Sequence, residues 1–219
     1  MRRKNKILSF FVVILAVIAV LGLTGTLTKG FTNWGPFQKH NMLFEEGDKI
    51  LLVVQRTEGS NLFAMNNELT GSYVKATDLG LSDGKTQELI ESLYDLQGRT
   101  GVKEHLFTIE YSENGYYYLK SYEGKYVAYT TSSNSATLTD DPYELNIIKN
   151  EDGTYSIYSV KAPTRKLQMN KSVSSDYFAF YESEQIGNFE IHVVNKVDKI
   201  IDNYVATLEP EEDEETPTE

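Results

Sequence analysis

The residues most able to bind a metal or to transfer protons are three histidines and one pair of adjacent carboxylates in a chain of 219 residues. His40, His105 and His192 lack the short HExxH or H-x3-H spacings of zinc sites, and we expect His105 and His192 at the surface or at strand edges. Asp140 and Asp141 precede a proline, which is typical of a turn, and no second acid in a known motif accompanies them. The chain has no cysteine, which excludes disulfides, a thiol nucleophile and Cys-ligated zinc. The sequence therefore predicts no catalytic residue, no metal site and no cofactor.

Tyrosine is the residue type most suggestive of binding, with 15 in the chain and most of them between residues 116 and 181. Alternation along a strand would turn about half of these rings outward, where tyrosine contacts proteins and sugars well. Strand propensity alone would also concentrate tyrosine in such segments. The excess therefore favours a strand-rich fold in either case and a binding surface in only one of them.

The elements that would position these tyrosines repeat three times along the chain. Each repeat starts with a turn glycine before a β-rich run, at Gly47, Gly115 and Gly153, and Asn114-Gly115 and Asp152-Gly153 are hairpin signals in which both turn residues can take positive φ. Apolar residues then recur at matching offsets in the second, third and fourth strands of each repeat. These sets are Phe63, Val127 and Leu167; Met65, Tyr129 and Met169; Val74, Leu138 and Phe178; Phe107, Leu145 and Phe189; and Ile109, Ile147 and Ile191.

The first repeat is longer than the other two because it contains an insertion. Residues 82–98 place Leu89, Ile90, Leu93 and Leu96 at helical spacing and end at a glycine, which predicts an inserted helix. Without this insertion the three repeats have similar lengths.

Three four-stranded units joined by hairpins are the pattern of a β-trefoil, an all-β fold that we predict for residues 47–195. In this fold three repeats close a barrel that no single repeat could bury alone. We expect Leu51, Leu119 and Ile157 in one barrel layer and the isoleucine set above in another. An irregular β-sandwich is the alternative, because period-two patterns are common.

The N-terminus indicates export. The 22 residues 7–28 carry no charge and would span about 33 Å as a helix, enough to cross a hydrocarbon core of about 30 Å. Four basic residues precede this stretch, so we predict a cytoplasmic tail at 1–6, a transmembrane anchor at 7–28, a linker at 29–46 and an extracellular domain. A cleaved signal peptide is the alternative and exports the same domain.

Charge and pattern also define the C-terminal region. Residues 196–208 have one apolar helical face and predict an amphipathic helix, whereas residues 209–219 are acidic and predict a disordered tail.

Five of the 21 basic residues lie in residues 1–29, which contain no acid, so residues 30–219 hold 16 basic and 32 acidic residues, a net charge of −16. This charge argues against nucleic acid as a partner.

Residues 124–129, 152–157, 165–170 and 177–181 resemble the strand motifs of ricin/fascin-like β-trefoil accessory modules appended to exported bacterial hydrolases and nucleases. Leu145 stands where this family often has tryptophan, and Asp176 or Tyr177 where it often has arginine. The Q-x-W motif of ricin-type lectins is absent from the repeats. The resemblance implies an accessory or adhesive role rather than chemistry. An exported chain without cysteine is more typical of bacteria than of eukaryotes, so we expect a bacterial source.

Equivalent loops of the three repeats are the predicted place for a ligand. Asn66, Thr130 and Asn170 each follow the second strand and are expected to point outward, where they can donate and accept hydrogen bonds. Because Tyr126 and Tyr177 lie near the second and third of these loops, the predicted ligand-binding residues are Tyr126, Thr130, Asn170 and Tyr177. The predicted function is a non-enzymatic module that binds a cell-surface polysaccharide or protein. A structural subunit of a membrane or secretion complex is the alternative, an enzyme is the least favoured, and the oligomeric state stays open.

Overall fold

The computed structural model describes residues 42–130 and 133–208. The predicted cytoplasmic tail, membrane anchor and acidic C-terminal tail, with most of the linker, lie outside these residues. Neither described helix is long and apolar enough to cross a membrane. In chain order, the elements of the described residues are β1 (Lys49–Gln55), β2 (Leu62–Thr70), β3 (Tyr73–Asp78), α1 (Thr86–Glu104), β4 (Leu106–Tyr111), β5 (Tyr117–Lys120), β6 (Tyr126–Ala128), β7 (Thr137–Thr139), β8 (Leu145–Lys149), β9 (Tyr155–Ser159), β10 (Lys166–Met169), β11 (Tyr177–Tyr181), β12 (Glu190–Val193) and α2 (Val197–Leu208).

Six of the strands form a closed barrel. β1 pairs with β4, β4 with β5, β5 with β8 and β8 with β9. A bridge between Tyr155 and Phe189 joins β9 to β12, and β12 pairs with β1 to complete the ring. The other six strands form three hairpins, β2–β3, β6–β7 and β10–β11, one in each repeat. This topology is a β-trefoil and confirms the predicted fold.

The barrel register repeats three times. Ile50 lies opposite Phe107, Tyr117 opposite Leu145, and Tyr155 opposite Phe189. In the next layer Ile109 faces Leu119, Ile147 faces Ile157 and Ile191 faces Leu52. The residue equivalent to Leu119 and Ile157 is therefore Leu52, and the predicted Leu51 is wrong by one position.

Leu51 is buried on the outer wall of the barrel instead. With Val53 it joins an apolar cluster that includes Leu89 and Leu93 of α1 and Ile201 of α2. Because both faces of β1 are covered, its residues 50–54 are all apolar, and the alternation that identifies an inward face is lost.

Two further details differ from the sequence predictions. Ile191 is only half-buried, whereas Ile109 and Ile147 are buried. In the third strands Leu138 lies opposite Val127, whereas Phe178 lies opposite Met169, so these two residues are not equivalent. The predicted register fails there because the β6–β7 and β10–β11 loops differ in length.

The turn glycines behave as predicted, but their neighbours do not. Gly115 and Gly153 take φ of 80° and 88°, whereas Asn114 and Asp152 keep negative φ. The amide of Gly115 donates to the Ser112 carbonyl oxygen at 3.0 Å. Each hairpin is therefore a turn of ordinary handedness followed by a left-handed glycine.

The insertion is a helix, α1, which starts later and ends later than predicted. It continues past Gly98, where φ of 69° and ψ of −174° put a kink between two helical segments. Ion pairs join it to α2: Arg99 contacts Asp202 at 2.5 Å and Asp198 at 3.4 Å, and Lys103 contacts Asp198 at 3.1 Å. The two helices together cover the outer wall of repeat one.

Candidate functional site

Two open depressions lie at related positions on the second and third repeats. The repeat-two depression, of about 410 Å³, lies between strands β6 and β7, residues 141–143 and residues 161–162. The repeat-three depression, of about 450 Å³, lies between strands β10 and β11, residues 182–188 and the end of β1 at Gln55. In both cases the walls are the hairpin base, the connection to the fourth strand and residues at or just after the end of the next repeat's first strand. The pseudo-three-fold symmetry of the barrel therefore builds the same kind of surface twice.

Two tyrosines form the apolar part of the repeat-two depression. The Tyr143 hydroxyl shares a hydrogen bond of 2.5 Å with the buried Ser159 hydroxyl, and burial raises the pKa of Tyr143. The Lys161 ammonium lies 5.2 Å from the centre of the Tyr143 ring, and the Arg165 guanidinium lies 5.3 Å from that of Tyr129. Because Tyr143 is only 7% exposed, the half-buried Tyr129 ring is the apolar face open to a ligand, and the exposed Lys161 ammonium beside it can donate hydrogen bonds.

A buried amide and a glycine form the floor of the repeat-three depression. Gln168 donates to the Ser183 carbonyl oxygen at 3.1 Å and accepts from the Gln185 amide at 2.8 Å, which fixes the connection above it. A Cβ on Gly187 would lie 2.6 Å from Gln168 Cγ and 2.8 Å from Lys166 Cε, so only glycine fits there.

Lys166 presents its ammonium group in this same depression. Its Nζ donates to Asn188 Oδ1 at 3.1 Å, and burial lowers its pKa. Tyr158 and Tyr181 also line the depression, where Tyr158 is half-buried and presents its ring and Tyr181 is buried. Like the repeat-two depression, it combines tyrosine rings with an amine.

The related position on repeat one is filled by the protein's own chain. Ala64 is the residue equivalent to Ala128 and Gln168, and it is fully buried in the apolar cluster. Leu79 and Leu89 belong to the same cluster. The insertion therefore covers this position.

Of the four predicted ligand-binding residues, Thr130 lines a depression and Tyr126 does not. The Thr130 hydroxyl shares a hydrogen bond of 2.6 Å with Ser135 at the rim of the repeat-two depression. Tyr126 is 9% exposed, and its hydroxyl donates to Glu110 Oε2 at 2.8 Å. Most of its ring is therefore unavailable as a platform.

Asn170 and Tyr177 lie together, outside both depressions. The Asn170 amide donates to the hydroxyls of Tyr177 and Tyr181, each at 3.0 Å, and the Tyr177 ring stacks on Tyr73 at 4.3 Å. The four predicted residues thus occupy three neighbourhoods, and ligand binding by them stays a prediction.

Two sequence predictions of exposure are wrong. Asn66 is 3% exposed rather than outward, and its amide lies 3.2 Å from His105 Nε2. His105 is fully buried at the end of α1, not at the surface or at an edge. Its Nδ1 donates to the Gly101 carbonyl oxygen at 2.6 Å, Thr77 Oγ1 lies 2.7 Å from its Nε2, and burial lowers its pKa. The insertion that covers repeat one also buries these two side chains.

Sequence reasoning missed Tyr143, Lys161, Lys166 and Gln168 as lining residues. Two of them lie in connections, where strand alternation says nothing about direction. An available signal was position 168, where glutamine occupies the position that alanine occupies in the other two repeats, at Ala64 and Ala128. Within residues 42–130 and 133–208, no three His, Asp or Glu side chains converge as metal ligands do.

No protein-family model matches the sequence, and no curated protein matches it. Among solved structures, an endo-β-galactosidase from Clostridium perfringens that releases GlcNAcα1-4Gal superposes with a TM-score of 0.48 and 13% identity, over 68% of this chain and 33% of that one. The present chain thus spans a third of that enzyme.

Two further structures match over nearly their whole length. The Rhizoctonia solani agglutinin has a TM-score of 0.46 and 9% identity, over 69% of this chain and 99% of that one. A β-trefoil named BEL has a TM-score of 0.44 and 16% identity, over 69% and 98%. At TM-scores below 0.5, the trefoil assignment rests on the strand pairing and not on these likenesses.

Proposed function

We propose that the trefoil domain is a non-enzymatic module that binds a neutral cell-surface polysaccharide. The observation that carries this proposal is the pair of related depressions, each combining tyrosine rings with polar side chains. Sugars present apolar C–H faces to aromatic rings and hydroxyls to polar groups that donate or accept. The two open surfaces suit the exposed length of a polymer better than a small molecule, which enclosed cavities bury almost completely.

The charge of the domain supports a neutral ligand. Residues 30–219 have a net charge of −16, which repels polyanions such as nucleic acids and acidic polysaccharides. Lys161 and Lys166 provide local cations inside the depressions, and an ammonium group donates up to three hydrogen bonds. Neutral sugar hydroxyls accept such bonds at no cost in long-range repulsion.

In this proposal the domain lies outside the cell, held at the membrane by residues 7–28. The support is the uncharged stretch with its basic N-terminal flank. Protease added to intact cells should remove the domain and leave the N-terminal tail protected. A mature protein that begins near Gly25 or Leu27 would show instead that the stretch is a cleaved signal peptide.

The binding test uses the full chain in detergent with insoluble cellulose, chitin, xylan and peptidoglycan. We expect retention on at least one polymer and a clear loss of retention in Tyr129→Ala, which removes the half-buried ring that lines the repeat-two depression. Tyr122→Ala is the matched control, because Tyr122 is 58% exposed and lines neither depression. Melting temperatures establish that both variants are folded. Retention on none of the polymers, or equal retention of both variants, would contradict the proposal.

A further inference from the structure

One tight turn separates the two depressions. Ala162 lines the repeat-two depression and Thr164 lines the repeat-three depression, with only Pro163 between them. The Arg165 amide donates to the Ala162 carbonyl oxygen at 2.8 Å, which closes a β-turn with proline at its second position. Two residue steps span at most about 7 Å, so the depressions adjoin each other.

The turn is held rigidly from below. The Ser159 hydroxyl accepts a bond from the Ala162 amide at 3.0 Å and contacts the Tyr143 hydroxyl at 2.5 Å. The Ser159 amide donates to the Arg165 carbonyl oxygen at 3.0 Å. One buried serine therefore fixes the turn relative to Tyr143.

Arg165 connects the far walls of the two depressions. Its guanidinium lies over the Tyr129 ring in the repeat-two depression, while its Nε lies 3.2 Å from Glu182 Oε1 in the repeat-three depression. Its Nη1 also donates to Asn134 Oδ1 at 2.7 Å. The two surfaces therefore share structural support and keep a fixed separation.

We infer that the two depressions are the two ends of a single extended site that takes one linear polysaccharide chain across the turn at residues 162–165. This inference rests on the proposed function and names the form of its ligand. Pro163 and Thr164 are exposed at the crest of the turn, where a chain would cross. A chain that engages one end meets the other at high effective concentration, which raises affinity without new contacts.

Titration calorimetry of the full chain in detergent tests this inference with cello-oligomers and N-acetylglucosamine oligomers of two and six residues. We expect one hexamer to bind per domain, at least about tenfold more tightly than the dimer of the same series. Lys161→Ala and Lys166→Ala should each bring the hexamer affinity close to that of the dimer. Lys125→Ala is the matched control, because Lys125 is exposed and lies outside both depressions. This variant should bind the hexamer with the affinity of the unchanged protein.

Two independent sites would give a different result. Two hexamers would then bind per domain, each with the affinity measured for the two-residue oligomer. Each lysine variant would bind one hexamer instead of two. That result would overturn the single extended site and leave the proposed function standing. If no oligomer binds and no insoluble polymer retains the protein, the proposed function itself fails.

Discussion

The outer wall of the barrel has the same backbone in all three repeats but different side chains. Two outward-facing positions of the first strand show this, each given for repeats one, two and three in order. The first position holds Leu51, Tyr118 and Ser156, and the position two residues later holds Val53, Lys120 and Tyr158. The repeat-one residues are apolar and lie beneath the two helices. In repeat two, Lys120 contacts Glu110 at 2.8 Å at the half-exposed surface.

This difference shows how one insertion changes the use of a symmetric scaffold. The helices convert the outer wall of repeat one into a second apolar core and fill the position of the third depression. Repeats two and three, without such cover, keep polar walls and open depressions. Stability and binding are thus concentrated in different repeats of the same barrel.

The largest effect should come from opening the helix–barrel core of repeat one. Leu93→Ala removes a fully buried side chain, and such changes cost about 2–5 kcal/mol of unfolding free energy. Leu96→Ala, on the same helix but 54% exposed, should cost less than about 0.5 kcal/mol. Urea unfolding measures both. Equal costs would mean that the helix does not form part of the core.

Acid should weaken repeat one through His105. Its imidazole is neutral in the fold, since Nδ1 donates to Gly101 and Nε2 accepts from its neighbours, and burial lowers its pKa. Below the ordinary histidine pKa of about 6.5 the unfolded chain binds a proton that the folded chain resists, so stability falls as pH falls.

The measurement is the free energy of unfolding at pH 7.5 and pH 5. The loss at pH 5 should be smaller in His105→Gln than in the unchanged protein. His192→Gln is the comparison, because His192 is half-buried and its pKa is also lowered by burial, though Glu190 at 3.6 Å opposes this. A loss at pH 5 that is the same with and without His105 would show that other groups cause it.

A smaller effect is expected on the polar wall of repeat two. Although burial opposes the shift, bonds from Lys120 and Tyr126 lower the pKa of Glu110. Tyr126→Phe removes the hydroxyl bond and should cost about 0.5–1.5 kcal/mol in urea unfolding. Tyr122→Phe, at an exposed position, is its control and should cost nothing measurable. A cost above that of Leu93→Ala would reverse the contrast between the two walls.

The smallest effect should come from the ion pairs between the helices. Arg99 has a side chain that is 41% exposed and pairs with Asp198 and Asp202. Because solvent screens such pairs, Arg99→Ala should lower the free energy of unfolding by less than Tyr126→Phe does, and by less again at high salt. Lys199→Ala, exposed on α2, provides the baseline. A cost that does not change with salt would point to packing by the arginine stem rather than to charge.

Sequence patterns identified the inward-facing residues where an aliphatic side chain stands between polar or tyrosine side chains. Alternation in β5 and β9 identified Leu119 and Ile157, and turn glycines located the hairpins. The same logic failed for Leu51, because helices distant in sequence cover the outer face of β1.

The site was less accessible from sequence. The depressions are lined largely by connections, such as those carrying Tyr143 and Lys161, whose directions depend on tertiary hydrogen bonds. Asn170 looks like a free amide in the sequence, but two tyrosine hydroxyls occupy it in the fold. Polar residue type predicts hydrogen bonding and does not reveal whether the partner is the protein or a ligand.

Closure of the barrel by its first and last strands has a consequence for synthesis. The Lys49 amide donates to Asn195 Oδ1 at 2.9 Å, across a separation of 146 residues. The Asn195 amide donates to Asp48 Oδ1 at 2.8 Å, across 147 residues. Contacts this distant in sequence close slowly and only after the last strand is available. A nascent chain that has emerged only as far as β11 therefore has an open barrel, and its apolar lining stays accessible to chaperones until residue 195 arrives.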